Sequence, residues 1–79
     1  MENQINGEEK KNKLISFRID LINLIQESKE NKESVIKSKY YSDEEKARII
    51  KDRDNWILKT EELIKIIEEQ LKREFNHYV

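Results

Sequence analysis

Apolar residues along the chain fall on two long stripes separated by a short polar break. From Leu14 onward, Leu14, Phe17, Leu21, Leu24, Ser28, Asn31, Val35 and Ser38 recur at spacings of alternately three and four, the repeat that keeps side chains on one side of an α-helix. A first helix is therefore expected from about Glu8 to about Lys39. Farther on, Ile49, Trp56, Leu63, Ile67 and Leu71 mark a second stripe, widened by Ile50, Ile57, Ile64 and Phe75. It predicts a second helix from about Asp43 to about Phe75.

The break between the stripes carries a helix-start signal. Ser42 stands three residues before Glu45, the spacing at which hydroxyl and carboxylate reciprocally satisfy two orphan backbone N–H groups. Asp43 and Glu44 suit the positive end of the helix dipole. A connection confined to Tyr40–Ser42 is short enough to force an antiparallel helical hairpin. Folding the chain about it sets Ser28 opposite Trp56 and Leu21 opposite Leu63, and places Trp56 in the core beside a small residue. Glu-before-Lys/Arg pairs four apart, such as Glu33 with Lys37 and Glu61 with Lys65, add about 0.2 to 0.5 kcal/mol each to the helices. Between Gln26 and Ser34 there is no apolar residue, and Ser and Asn are poor helix-interior residues, so a break giving three helices is the competing architecture. Residues 1 to 7 lack periodicity and close on the only Gly, Gly7; they read as a flexible tail preceding a hairpin domain over residues 8 to 79.

Size sharpens this picture. A domain of 79 residues buries only about 60% of the surface its unfolded chain exposes, and small scaffolds usually add disulfides, a metal or a second subunit. With no Cys and one His, His77, neither a disulfide nor a conventional zinc site is available. That leaves a second copy or a partner. The expected fold class is thus all-α, an antiparallel helical hairpin assembled as a homodimeric four-helix bundle.

Charge excludes further roles. Lys and Arg total 16 against 17 Asp and Glu, for a formal net charge of -1, and the signs alternate along the chain, so neither a polyanion nor an anionic membrane is attracted by the surface as a whole. Lys10, Lys11 and Lys13 are the only basic cluster, and Glu8 and Glu9 precede it. Trp56-Ile57-Leu58 is the longest apolar run, far short of the roughly 20 residues that span a bilayer. No secretory segment is seen, and a cytoplasmic protein is expected.

Candidate chemistry is sparse. Nucleophilic triads and phosphate-wrapping loops lack their residues. The paired carboxylates, Glu44-Glu45, Glu61-Glu62 and Glu68-Glu69, fall mostly on polar faces beside basic residues, whereas general acid-base work needs a desolvated carboxyl. Arg53 lies inside the second stripe, where a guanidinium could grip a carboxylate in bidentate fashion. Arg18-Ile19-Asp20 resembles the start of the first helix in all-helical chorismate mutases, but the further basic residues of that family have no equivalents, because Lys32 and Lys37 read as lying on the wrong faces. Thr60-Glu61-Glu62-Leu63-Ile64 resembles the signature of sporulation phosphorelay phosphatases only in its Glu-Leu step, and Ile64 replaces the required Asp. Neither activity is carried over, so no enzyme and no cofactor are expected.

One feature points to binding. Ile15, Ile19 and Ile22 stand at i, i+4 and i+7 on the flank and far side of the first stripe, and exposed apolar ridges of this kind mark interfaces. The functional expectation is a non-enzymatic protein-binding module that docks on a larger protein through a helix face, as a small regulator or inhibitor of the size phages and other mobile elements encode. An assembly or scaffolding component and a nucleic-acid-associated hairpin are the alternatives.

Overall fold

The computed structural model describes residues 2–79, with side chains from Gly7 onward. Two helices make up the chain, α1 (Glu2–Lys37) and α2 (Asp43–Phe75), packed side by side as an antiparallel hairpin measuring 59 × 17 × 16 Å. No strand occurs among the described residues. The first helix, expected from about Glu8, begins at Glu2 and so runs through residues 2–7, which were expected as a tail.

Capping explains both ends of α2. Ser42 Oγ accepts from the Glu45 backbone N–H at 3.2 Å, and Glu45 Oε1 accepts from the Ser42 N–H at 3.3 Å, the reciprocal pair expected from the sequence. At the far end Asn76 adopts the left-handed conformation, φ 52° and ψ 36°, and the Asn76 and His77 N–H groups both donate to the Leu71 carbonyl. That arrangement satisfies a carbonyl the helix leaves open. The turn is held by side chains too: Lys46 Nζ donates to the Ile36 carbonyl at 3.0 Å, covering the negative end of α1. Ser42→Ala should cost about 1 kcal/mol, as cap removal typically does, and Ser42→Asp should restore it. Thermal melts of the two variants check this.

No break interrupts α1 between Gln26 and Ser34. Tertiary contacts override the local preference there: Ser28 is buried against α2, and Lys32 Nζ reaches Asp54 Oδ1 at 2.7 Å. A helix interior of weak formers is held by what it packs on.

The seam between the helices differs from the expected one. Its buried members are Leu21, Ile25, Ser28 and Val35 on α1, with Ile57, Thr60, Ile64, Ile67 and Leu71 on α2; Leu14, Ile15 and Phe75 pack at its edge. Trp56, placed in the core by the sequence, remains 41% exposed, and Leu63, Phe17 and Leu24 are likewise open. Leu14, Arg18, Leu21, Ile25, Ser28, Lys32 and Val35 form a strict heptad series on α1, matched on α2 by Arg53, Ile57, Thr60, Ile64, Ile67 and Leu71. Two helices alone need only such a narrow seam, and small or β-branched residues let the backbones approach where Phe17 and Trp56 would hold them apart. Thr60 tolerates burial because its Oγ1 donates to the Trp56 carbonyl at 2.7 Å.

Lys32 is therefore on the seam and not on the outer face assigned to it from sequence. Its charged end pairs with Asp54, and Arg18 Nε pairs with Glu68 Oε2 at 2.8 Å. Both stems cover apolar surface while their heads reach water. Exposed or partly exposed pairs of this kind contribute up to about 1 kcal/mol, so they set alignment more than stability.

Candidate functional site

Phe17, Leu24 and Asn31 follow one another at seven-residue spacing on α1, as Ile49, Trp56, Leu63 and Gln70 do on α2. Each set lies along one side of its helix, and the two sides meet in one face of the hairpin. A shallow recess at mid-length proves the meeting, since Leu24, Ser28 and Asn31 line it from α1, and Arg53 and Trp56 from α2. The expected approach of Ser28 to Trp56 is present, but at the mouth of a recess and not within the core. Phe17, Leu24, Trp56 and Leu63 are all between 39% and 46% exposed. Large apolar side chains aligned on both helices form a continuous uncovered strip, unlike the singly scattered apolar residues normal on a surface.

Two polar atoms in this face are buried without a partner, Ser28 Oγ and Arg53 Nε. No carboxylate pairs with Arg53 among the described residues, so the bidentate grip suggested by its position in the stripe has no intramolecular occupant. Buried polar groups are ordinarily hydrogen-bonded. The recess is thus the one part of the face that asks for polar company.

The opposite side of the hairpin is closed differently. Arg18, which pairs with Glu68, has Ile15 and Ile22 as its i-3 and i+4 neighbours, so the isoleucine flank lies beside an inter-helix ion pair. The three isoleucines do not share one environment. Ile15 packs at the edge of the core, whereas Ile19 and Ile22 are 48% and 39% exposed, with Ile19 turned farthest from α2. Leu58 is also exposed and sits one turn beyond Asp54 on the same flank.

No group of three His, Cys, Asp or Glu side chains that could hold a metal occurs among the described residues. His77 lies in a shallow surface depression with Lys72 and Tyr78, and the Lys72 ammonium stands 5.5 Å from the Tyr78 ring centroid, an exposed cation–π contact. Among the described residues no helix is long and apolar enough to cross a membrane.

Fold and surface together define the class: an all-α helical hairpin with an uncovered two-helix apolar face. No known family model matches the chain, and neither a curated protein nor a solved structure does.

The sequence reading singled out the isoleucine flank and missed this face, because it assigned Phe17, Leu24, Trp56 and Leu63 to the intramolecular core. The signal that could have separated them is a strict four-and-three register: Leu21, Ile25, Ser28 and Val35 on α1 and Ile57, Thr60, Ile64, Ile67 and Leu71 on α2 are buried, whereas Phe17, Leu24, Trp56 and Leu63 each stand one position before a member of that register.

Proposed function

We propose that this chain is a non-enzymatic protein-binding module that works as a homodimeric four-helix bundle, in which a second copy covers the Phe17–Leu24–Trp56–Leu63 face. The observation that carries this reading is that face itself, an apolar strip on both helices that a single hairpin leaves in water. Packing two hairpins lets every helix touch two others. Along α2 the face runs from Ile49 to Gln70, about 30 Å at about 1.5 Å per residue. An isologous contact needs no other component.

With the dimer using that face, Ile19 and Ile22, together with Ile15 at the core edge, remain for a foreign protein. The role is that of a small regulator or inhibitor docking through the outer side of α1. Light scattering at micromolar concentration should report a dimer. Because Ile15 supports the core, the separating variant is Ile19→Ser with Ile22→Ser, which should keep helicity and dimer mass while losing capture of the target that the native chain retains. A fully active variant would remove the isoleucines from the binding site. Concentration-dependent higher assembly would point to a scaffolding component, and salt-sensitive retention on nucleic acid to the nucleic-acid-associated alternative.

A further inference from the structure

We infer that the turn end of the hairpin, residues 29–53, is a hinged tip that opens and closes as one unit while the rest stays packed. The hinge is a polar layer across the seam, made by Ser28, Lys32 and Arg53. This device belongs to the hairpin itself and does not require the second copy.

Apolar burial is divided unequally by that layer. Leu21, Ile25, Ile57, Ile64, Ile67 and Leu71 form one cluster on the side away from the turn. Among the described residues Val35 is the one buried apolar side chain on the turn side, and it stands outside that cluster. Ile49 and Ile50, near its level on α2, are only half-buried. Between Ile25 and Val35 both seam positions of α1 are polar, Ser28 and Lys32, and the seam position of α2 next to Ile57 on the turn side is Arg53. Hydrophobic stabilisation follows the apolar area removed from water, so packing weakens abruptly at this level instead of tapering toward the turn.

The layer also destabilises the closed form. Ser28 Oγ and Arg53 Nε are both buried by the hairpin itself and neither has a partner, and an unmade hydrogen bond in a buried site costs more than a made one contributes. Opening the tip returns both groups to water. What opposes opening is modest: the Lys32–Asp54 pair, whose side chains are 31% and 52% exposed, the bond from Lys46 Nζ to the Ile36 carbonyl, and the burial of Val35. Ion pairs as open as this one hold little, and the stretch from Gln26 to Ser34 has no apolar residue and contains weak helix formers. Elements that rearrange on binding are drawn from units that open below the global free energy. The tip is therefore the part of this hairpin able to rearrange, and its opening uncovers Val35, Ile49 and Ile50 while the clustered half stays intact.

Amide hydrogen exchange, read residue by residue by NMR on the full chain, tests this. Amides within residues 31–37 and 46–53 should share one protection level at least about tenfold below that of residues 57–71, the factor that one buried unmade hydrogen bond is worth, with the step falling at Ser28 and Arg53. Even fraying toward the helix ends, or equal protection on both sides of the layer, would overturn the hinge. Ser28→Ala combined with Arg53→Leu makes the layer largely apolar, and the step should vanish as protection of the tip rises toward that of the cluster. Ser28→Ala alone, which removes a hydroxyl and adds no volume, should shrink the step and serves if the double variant does not fold. A step produced by coverage from a second copy would survive these substitutions. An unchanged step in a folded variant therefore shows that the polar layer is not its cause and overturns the inference.

Discussion

Leu71→Ala is expected to unfold most of the protein at temperatures where the native chain is folded. Leu71 is the one large side chain with no exposure at all. It sits one turn before the C-terminus of α2, and its carbonyl receives both capping N–H groups. Removing such a side chain costs its transfer free energy plus the cavity it leaves, about 3 to 5 kcal/mol when the surroundings cannot collapse. A small domain has a total stability near the low end of about 5 to 15 kcal/mol, and each kcal/mol moves the midpoint by roughly 4 to 8 °C at this size. The melting temperature by circular dichroism should therefore fall by about 15 °C or more. Ile66→Ala, at a site 62% exposed on the same helix, is the matched control, and surface changes stay within about 0.5 kcal/mol. Equal midpoints for the two variants would contradict the seam described above.

Leu24→Glu combined with Leu63→Glu should have the opposite character, sparing the hairpin and removing the dimer. Neither side chain belongs to the intramolecular core, so helicity should persist. In the four-helix bundle both would be covered, and the double change would place four carboxylates inside one symmetric interface. Each buried charge without a partner costs several kcal/mol, whereas a dimer with a micromolar dissociation constant is held by only about 8 kcal/mol. The mass by light scattering should halve. Trp56 provides an independent readout, since it borders Leu24 in the recess: its emission should be blue-shifted in the native dimer and move to longer wavelength in the variant. A variant that is still dimeric, with unchanged emission, would show that the second copy packs elsewhere. Trp56→Ala itself should cost the isolated hairpin well under the range for a fully buried aromatic, because 41% of that residue already faces solvent.

Helix positions, the hairpin topology and the cap were legible in the residues alone, because each depends on neighbours in sequence. The three-and-four spacing marks a helix wherever it occurs, Ser42 and Glu45 meet within one turn, and a connection of a few residues leaves antiparallel packing as the short path. The rotation of each helix about its axis was not legible. The stripes on both helices are wider than the seam between them, and periodicity cannot say which edge of a wide stripe faces the neighbour. Lys32 was misplaced for a related reason, and Arg18 went unread as a seam residue. Their charge excludes them from a core by composition, yet Glu68 and Asp54, 50 and 22 residues away in sequence, accept their heads and let their stems close the seam. The sequence by itself determined what is local: two amphipathic helices and their boundaries at the turn. Only the tertiary structure decided which side chains meet, leaving Phe17, Leu24, Trp56 and Leu63 between 39% and 46% exposed, because the contacts that fix each helix's rotation, such as Arg18 with Glu68 and Lys32 with Asp54, join residues far apart in sequence.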